Sequence, residues 1–122
     1  MATFQRIKLS GSTDGMSIPI SGSASGNAVL LHTATSSSAA GNWDEINLWA
    51  ANNTSGSKSG TIEWGGAGSA NEIKFNVPAL QGLFYIAPGL PLQNSKTVKM
   101  YAEQNSGSAA ILMHGFVNRI TE

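Results

Sequence analysis

The sequence predicts an all-β protein built as a two-sheet antiparallel β-sandwich, either a general sandwich or its jelly-roll form. Short segments with apolar residues at every second position recur along the chain, which is the period of a strand with one buried face. Gly, Ser, Asn or Asp bounds each segment, at the spacing typical of sandwiches and barrels. No window repeats apolar residues with the i, i+3, i+4 and i+7 pattern of a helix.

The first third of the chain predicts three strands separated by turns and polar loops. Pro19 marks the second as an edge strand, because proline has no amide hydrogen to give to a neighbouring strand. In the third, strict alternation places Leu31 on the face opposite to Leu30 and His32. These predicted strands span residues 3–10, 16–20 and 28–34.

The middle of the chain predicts the clearest central strand. Ile46, Leu48 and Ala50 alternate with polar residues, so we expect one face of this strand to be wholly apolar. Trp49 lies on the opposite, polar side. A polar turn then leads into a hairpin partner and a further strand whose inward residues include Phe75 and Val77. The predicted strands of this region span residues 43–51, 60–65 and 72–77.

The last third predicts three more strands. We expect prolines to interrupt the pattern at residues 78–82 and again at 88–92, since each removes a donor and restricts φ. Val98 and Met100 face one way and Tyr101 the other. The predicted strands span residues 83–87, 97–103 and 109–120, with a turn at 104–108.

Length and composition limit the class of protein. A chain of 122 residues predicts one β-sandwich domain over residues 1–122. Only 11% of the residues are charged and the formal net charge is zero, so we expect no nucleic-acid partner. No apolar segment is long enough to cross a bilayer and the first residues lack a secretion signal, so we expect no membrane partner and synthesis in the cytoplasm. Without cysteine the fold depends on packing and hydrogen bonds.

The titratable residues predict no catalytic or metal site and no cofactor. His32 and His114 each lie in a strand among apolar neighbours, and we interpret both as structural histidines. Asp44 and Glu45 are adjacent, so they point to opposite faces and cannot act as a pair. We interpret both as solvated charges or guards of a strand edge. We therefore expect no enzymatic activity.

The aromatic residues predict binding surfaces instead. Trp49 and Tyr101 each lie on the polar side of their strand, which indicates a second covered surface, because aromatic residues are enriched in interface cores. Trp43 and Phe4 join them as candidate interface residues. An alternative is a carbohydrate-binding, lectin-like module in which Trp43, Trp49 or Trp64 stacks on a sugar ring.

Several segments in order along the chain carry a resemblance to a known class of proteins. They are Arg6-Ile-Lys-Leu-Ser-Gly-Ser-Thr-Asp-Gly, Leu48-Trp-Ala, Thr61-Ile-Glu-Trp-Gly-Gly, Pro88-Gly-Leu and Gly115-Phe-Val-Asn-Arg-Ile. Together they resemble small virion structural proteins of tailed bacteriophages, of the capsid decoration (cement) type. The resemblance extends from Arg6 to Ile120 and includes no catalytic motif.

The resemblance implies a β-sandwich or jelly-roll protein that binds the outside of the capsid lattice and stabilises it. It implies the major capsid protein as partner, a homo-oligomer, with the trimer favoured, and a location on the capsid exterior. Another virion part, such as a head–tail connector or tail component, is the alternative within the same class.

Overall fold

The computed structural model describes residues 2–122, and almost all of its regular structure is β. Two short 3-10 helices, Ser25–Asn27 and Ser69–Asn71, are the helical elements of these residues, and none is long or apolar enough to cross a bilayer. The strands are β1 (Thr3–Lys8), β2 (Ile18–Pro19), β3 (Val29–Thr33), β4 (Trp43–Asn52), β5 (Lys58–Trp64), β6 (Glu72–Val77), β7 (Leu83–Leu92), β8 (Thr97–Ala102), β9 (Gln104–Asn105), β10 (Ser108–Ala109) and β11 (Ile111–Thr121).

The strands form two antiparallel sheets and a small hairpin. Sheet A has the order β1-β11-β4-β7, with β2 pairing with β11 beyond the end of β1. Sheet B has the order β3-β8-β5-β6, and β9 pairs with β10. When the two-residue strands β2, β9 and β10 are set aside, the remaining eight strands follow the order of a jelly roll. The predicted all-β sandwich is confirmed.

The core lies between the two sheets. Ile46 and Leu48 of sheet A and Ile62, Val98 and Met100 of sheet B belong to one cluster of fully buried side chains. The predicted alternation therefore holds along most of β4, β5 and β8. Burial of such side chains, at about 1.5–3 kcal/mol for each, supplies the main favourable term for folding.

The inward face of β4 differs from its predicted form at both ends. Asp44 and Asn52 lie in phase with the apolar residues of this strand and are buried. The side-chain Nδ2 of Asn52 donates to the backbone oxygen of Val77 on β6, at 2.9 Å. The expectation of a wholly apolar face is therefore wrong, because each end of β4 carries a polar side chain bonded across to sheet B.

The predicted parity of β3 is also wrong. The pairing register of β3 with β8 shifts between Leu30 and His32, which marks a β-bulge at Leu31. An extra residue in a strand turns the next side chain to the other face, so Leu31 and His32 are both buried. Alternation alone had placed them on opposite faces.

Strand β7 extends through the prolines that we expected to end it. Pro88 and Pro91 lie within β7, which is the outermost strand of sheet A. Two register shifts against β4 accommodate this segment. Proline is tolerated there because an edge strand has amide positions without a strand partner. Pro19 follows the same rule as predicted, since β2 pairs with β11 alone.

Two segments are shorter or more ordered than expected. Of the predicted strand 16–20 only Ile18–Pro19 is extended, and Met16 is exposed in the preceding turn. The predicted turn at 104–108 is the β9–β10 hairpin. Its central residues Ser106 and Gly107 both have positive φ, which matches the twist of a two-residue hairpin.

Candidate functional site

The outer face of sheet A carries a row of stacked aromatic rings. The ring of Trp49 lies between those of Tyr85, with centroids 4.7 Å apart, and Phe116, with centroids 5.7 Å apart. At the end of the row opposite Tyr85, the guanidinium of Arg6 lies over the Phe116 ring, 4.7 Å from its centre. The row therefore crosses all four long strands of sheet A.

The spacing of these rings follows from the spacing of the strands. Trp49 on β4 is the register partner of Tyr85 on β7. Their planes differ by 14°, and their separation equals the distance of about 4.8 Å between neighbouring strands. The rings therefore stack face to face across neighbouring strands, and the Tyr85 hydroxyl donates to Asn47 Oδ1 at 3.0 Å.

A second apolar row lies near the end of the same face. The register aligns Phe4 on β1 with Ile120 on β11, and Ile120 with Trp43 on β4. Phe4 is 72% exposed. We call the outer face of sheet A the aromatic face, defined by Phe4, Trp43, Trp49, Tyr85 and Phe116. Three of the four predicted interface residues thus share one surface.

Tyr101, the fourth predicted interface residue, lies on the other side of the sandwich. We call the outer face of sheet B the polar face, defined by Glu63, Glu72, Lys74, Lys99 and Tyr101. The Tyr101 hydroxyl donates to Glu72 Oε2 at 3.0 Å, and Lys74 lies 4.0 Å from the same carboxylate. Tyr101 and Trp49 therefore cannot contribute to one contact surface of a single chain.

A cluster of ionisable groups is buried at one end of the sandwich. His32 on β3 and Asp44 on β4 are 1% and 0% exposed, and their atoms Nε2 and Oδ2 are 2.8 Å apart. Arg119 on β11 donates from Nε to Asp44 Oδ1 at 2.8 Å and from Nη2 to Oδ2 at 3.0 Å. We call these three residues the buried ion cluster.

Hydrogen bonds assign the proton on His32. The backbone amide of Ser10 donates to Nδ1 at 3.0 Å, so the neutral ring carries its proton on Nε2 and donates it to Asp44. Because neither ring nitrogen is left free, His32 acts here as a structural link between the sheets. The Ser10 hydroxyl accepts from the amide of Thr33 and makes no bond to the ring.

Burial and hydrogen bonding shift the pKa values of the cluster. Burial lowers the pKa of His32 below its usual value of 6.5, and the bond to Asp44 offsets this only in part. Burial by itself would raise the pKa of Asp44, but the hydrogen bonds from Arg119 and His32 prevail and hold it below 3.8. The bond to Asp44 raises the pKa of Arg119. The cluster is therefore a neutral histidine beside an ion pair.

The sequence predicts Asp44 as a solvated charge or a guard of a strand edge and gives no structural role to Arg119. That interpretation is wrong, since the carboxylate is fully buried. The phase of the alternation could have indicated its position, because Asp44 shares a parity with Ile46 and Leu48.

His114 lies apart from the cluster, on the outer side of sheet A beside Trp49. Within residues 2–122 no three His, Asp or Glu side chains form a group able to hold a metal ion.

A groove of about 570 Å³ lies where the aromatic face meets the end of the sandwich. Trp43, Pro91 and Leu92 form its apolar lining, and Asn94 and Lys96 its polar rim. We call it the Trp43 groove. Trp64 lies elsewhere, packed against the core, with its indole N–H donated to the backbone oxygen of Pro91 at 3.1 Å.

No family model, no curated protein and no solved structure matches this chain.

Proposed function

We propose that this protein is a non-enzymatic virion structural protein of the capsid decoration type, which attaches to the outside of a bacteriophage head through the aromatic face. The observation that carries the proposal is the row of stacked rings across sheet A, exposed at its Tyr85 end. Tyr85 is 49% exposed and the neighbouring Leu83 is 56% exposed. Aromatic residues of this kind, at the centre of a surface, are typical of binding hot spots.

The contrast between the two faces supports this choice of surface. The polar face carries charged residues that are largely bonded within it, as in the contacts of Glu72 with Tyr101 and Lys74. The Glu63 carboxylate likewise accepts a hydrogen bond from the hydroxyl of Ser25. The aromatic face presents apolar side chains to solvent instead. Exposed apolar side chains grouped on one face, here Phe4, Leu83 and Tyr85, are typical of interaction sites.

The edges of the sheets favour docking by a face over pairing of strands. Edge strand β7 contains Pro88 and Pro91, edge strands β1 and β6 carry Lys8 and Lys74, and edge strand β3 is bulged. Each of these devices opposes the addition of a further strand. We therefore assign attachment to side chains of the aromatic face.

A low charge suits a protein packed in many copies on one shell. The chain has a formal net charge of zero, so neighbouring copies repel one another little. Identical weak contacts arranged around a symmetry axis add up to firm attachment. We propose a homo-oligomer, with a trimer at local threefold axes favoured, and the major capsid protein as its partner.

Among known proteins the jelly roll occurs in both viral capsid and lectin domains, so the fold alone does not choose between these two functions.

The proposal is tested by binding to expanded heads that lack the protein, prepared from the phage that encodes it. We expect the purified chain to sediment with these heads. Tyr85→Ala should weaken binding about tenfold or more, as expected for a hot spot on the contacting face. Tyr101→Ala is the matched control, the same change on the polar face, and should bind as the parent does.

Two outcomes would contradict parts of the proposal. Failure of the parent chain to bind expanded heads at any ionic strength would overturn the decoration role. Loss of binding in Tyr101→Ala but not in Tyr85→Ala would assign attachment to the polar face instead. Quantitative mass spectrometry of the virion separates the alternative virion parts, because a connector or tail component is present in about a dozen copies or fewer, set by its ring symmetry.

A further inference from the structure

We propose that the Trp43 groove is a binding site for an acidic saccharide, a sugar that carries a carboxylate. The inference goes beyond capsid attachment and concerns the groove at the end of the aromatic face, with which it shares Trp43. The volume of the groove falls within the range of about 300–1,000 Å³ that small-molecule sites occupy.

Of the three tryptophans, Trp43 is the one placed to stack on a sugar. Trp49 has Tyr85 on one ring face and Phe116 on the other, so neither face is open to a ligand. Trp64 packs against the core, donates its indole N–H to Pro91 and lines a separate groove, whose one charged residue is the carboxylate Glu72. Trp43 lines an open groove together with Lys96.

The polar groups of the groove favour an anionic ligand. Lys96 is the one charged residue that lines it, and no carboxylate of the described residues lies in its lining. Within residues 2–122, Lys96 has no ion-pair partner and the Asn94 side chain makes no hydrogen bond. An ammonium beside an apolar lining that includes an indole ring fits a sugar ring with an apolar side and a carboxylate.

The rim of the groove is held in one conformation. Asn94 and Ser95 both have positive φ, at 61° and 57°, in the turn between β7 and β8. The backbone N–H of Asn94 donates to the backbone oxygen of Ser37 at 3.0 Å. The backbone N–H of Ser95 donates to the backbone oxygen of Thr35 at 2.9 Å. Gln93 Nε2 donates to the oxygen of Ser38. The turn is therefore fixed before a ligand arrives, which lowers the entropy lost on binding.

The test is a titration with a short α-1,4-linked galacturonate oligomer, followed by the indole N–H signals in a ¹⁵N NMR spectrum. The variant Trp43→Phe assigns the Trp43 signal and keeps an aromatic ring in the groove. We expect saturable movement of the Trp43 signal and no movement of the Trp49 and Trp64 signals. The methyl ester of the same oligomer, which is neutral, is the matched ligand and should bind more weakly.

Lys96→Met tests the charge of the groove and retains the apolar part of the side chain. It should weaken binding of the galacturonate oligomer about tenfold, the loss expected for one charge-assisted contact at an open site. Binding of the methyl ester should stay unchanged. Lys99→Met, on the polar face, is the control and should leave both affinities as in the parent.

The inference is wrong if the Trp43 signal does not move at millimolar oligomer. It is also wrong if acetate alone produces the same movement, or if Lys96→Met binds the oligomer as the parent does. Circular dichroism and thermal unfolding confirm that each variant is folded. The outcome is independent of capsid attachment, because Tyr85→Ala alters the aromatic face and leaves the lining of the groove intact.

Discussion

Asp44 on β4 and His32 on β3 join the two sheets of this protein through a buried hydrogen bond of 2.8 Å between Oδ2 and Nε2. Arg119 neutralises the carboxylate, and the amide of Thr35 donates to Oδ2 at 3.1 Å. The carboxylate is thus satisfied on both oxygens although it is out of contact with water. A polar link of this kind fixes how one sheet lies on the other, because no shifted arrangement satisfies the same groups.

Removal of the carboxylate should destabilise the protein strongly. Asp44→Ala leaves Arg119 and the Nε2–H of His32 without their partner, and such a loss lowers the free energy of unfolding by about 3 kcal/mol. Glu45→Ala is the matched control, because it removes the adjacent carboxylate on the opposite face and should change this free energy by less than about 0.5 kcal/mol. Urea unfolding of both variants measures the difference. Equal losses would contradict a structural role for the cluster.

Stability should fall in mild acid because of His32. Its pKa is lowered in the folded chain, so below about pH 6.5 the unfolded chain takes up a proton that the folded chain does not. The free energy of unfolding therefore decreases as the pH falls from 7 to 5. His32→Gln should remove this decrease, and His114→Gln, which changes the other histidine, should retain it. A decrease of the same size in His32→Gln would show that another group is responsible.

A further decrease in the free energy of unfolding is expected in stronger acid because of Asp44. Its pKa is held below 3.8 in the folded chain, so the stability it contributes is complete above that value and is lost as the pH falls through the folded pKa. Asp44→Asn has no carboxyl group to titrate and should lack this step. Urea unfolding between pH 5 and 2 measures it in both chains. A step that persists unchanged in Asp44→Asn would assign it to another carboxylate.

The stacked pair on the aromatic face should be energetically coupled. A double-mutant cycle of Trp49→Ala and Tyr85→Ala should give a coupling free energy of about 0.5–1.5 kcal/mol, the range measured for aromatic pairs. Pairing Trp49→Ala with Tyr101→Ala provides the control, since these residues lie on opposite faces and should be additive. If the effects of Trp49→Ala and Tyr85→Ala on the free energy of unfolding are additive, stacking of the two rings contributes nothing to stability in solution.

Gly115 on β11 should not tolerate a larger side chain. A Cβ atom at this position would overlap the backbone oxygen of Asn47 and approach the side chains of Leu48 and Leu9. Because the obstruction is backbone, Gly115→Ala should lower the free energy of unfolding by about 1–3 kcal/mol. Gly26→Ala is the control, since its Cβ would meet no atom within 4 Å. Thermal unfolding of both variants separates crowding from the general effect of replacing glycine.

The sequence could predict those features that depend on neighbours along the chain. All nine predicted strands have counterparts, and the bounds of Glu72–Val77 agree fully. Errors arose where one residue breaks a regular pattern. The bulge at Leu31 turned His32 inward, and the edge position of β7 allowed Pro88 and Pro91 to remain in a strand. Neither a register shift nor an edge position is visible from alternation alone.

For the candidate surfaces too, the sequence predicts which side of its own strand a residue lies on but not which strands lie together. Strand parity places Trp49 and Tyr101 on the polar sides of their strands, and both point outward in the structure, as do the further candidates Phe4 and Trp43. Only the strand order showed that the first three share sheet A while Tyr101 lies on sheet B. The stacking of Trp49 with Phe116, more than sixty positions away, likewise needed the pairing of β4 with β11.

The amino-acid sequence by itself determined that the chain forms short strands with one apolar side and a surface almost without charge, because these properties follow from residue type and period. Tertiary structure alone decided which strands are neighbours. It thereby brought His32, Asp44 and Arg119 into one buried cluster and three aromatic rings of sheet A into one stacked row. The physical reason is that strand pairing joins residues far apart in the chain, and its register is set by packing and hydrogen bonding of the whole sheet.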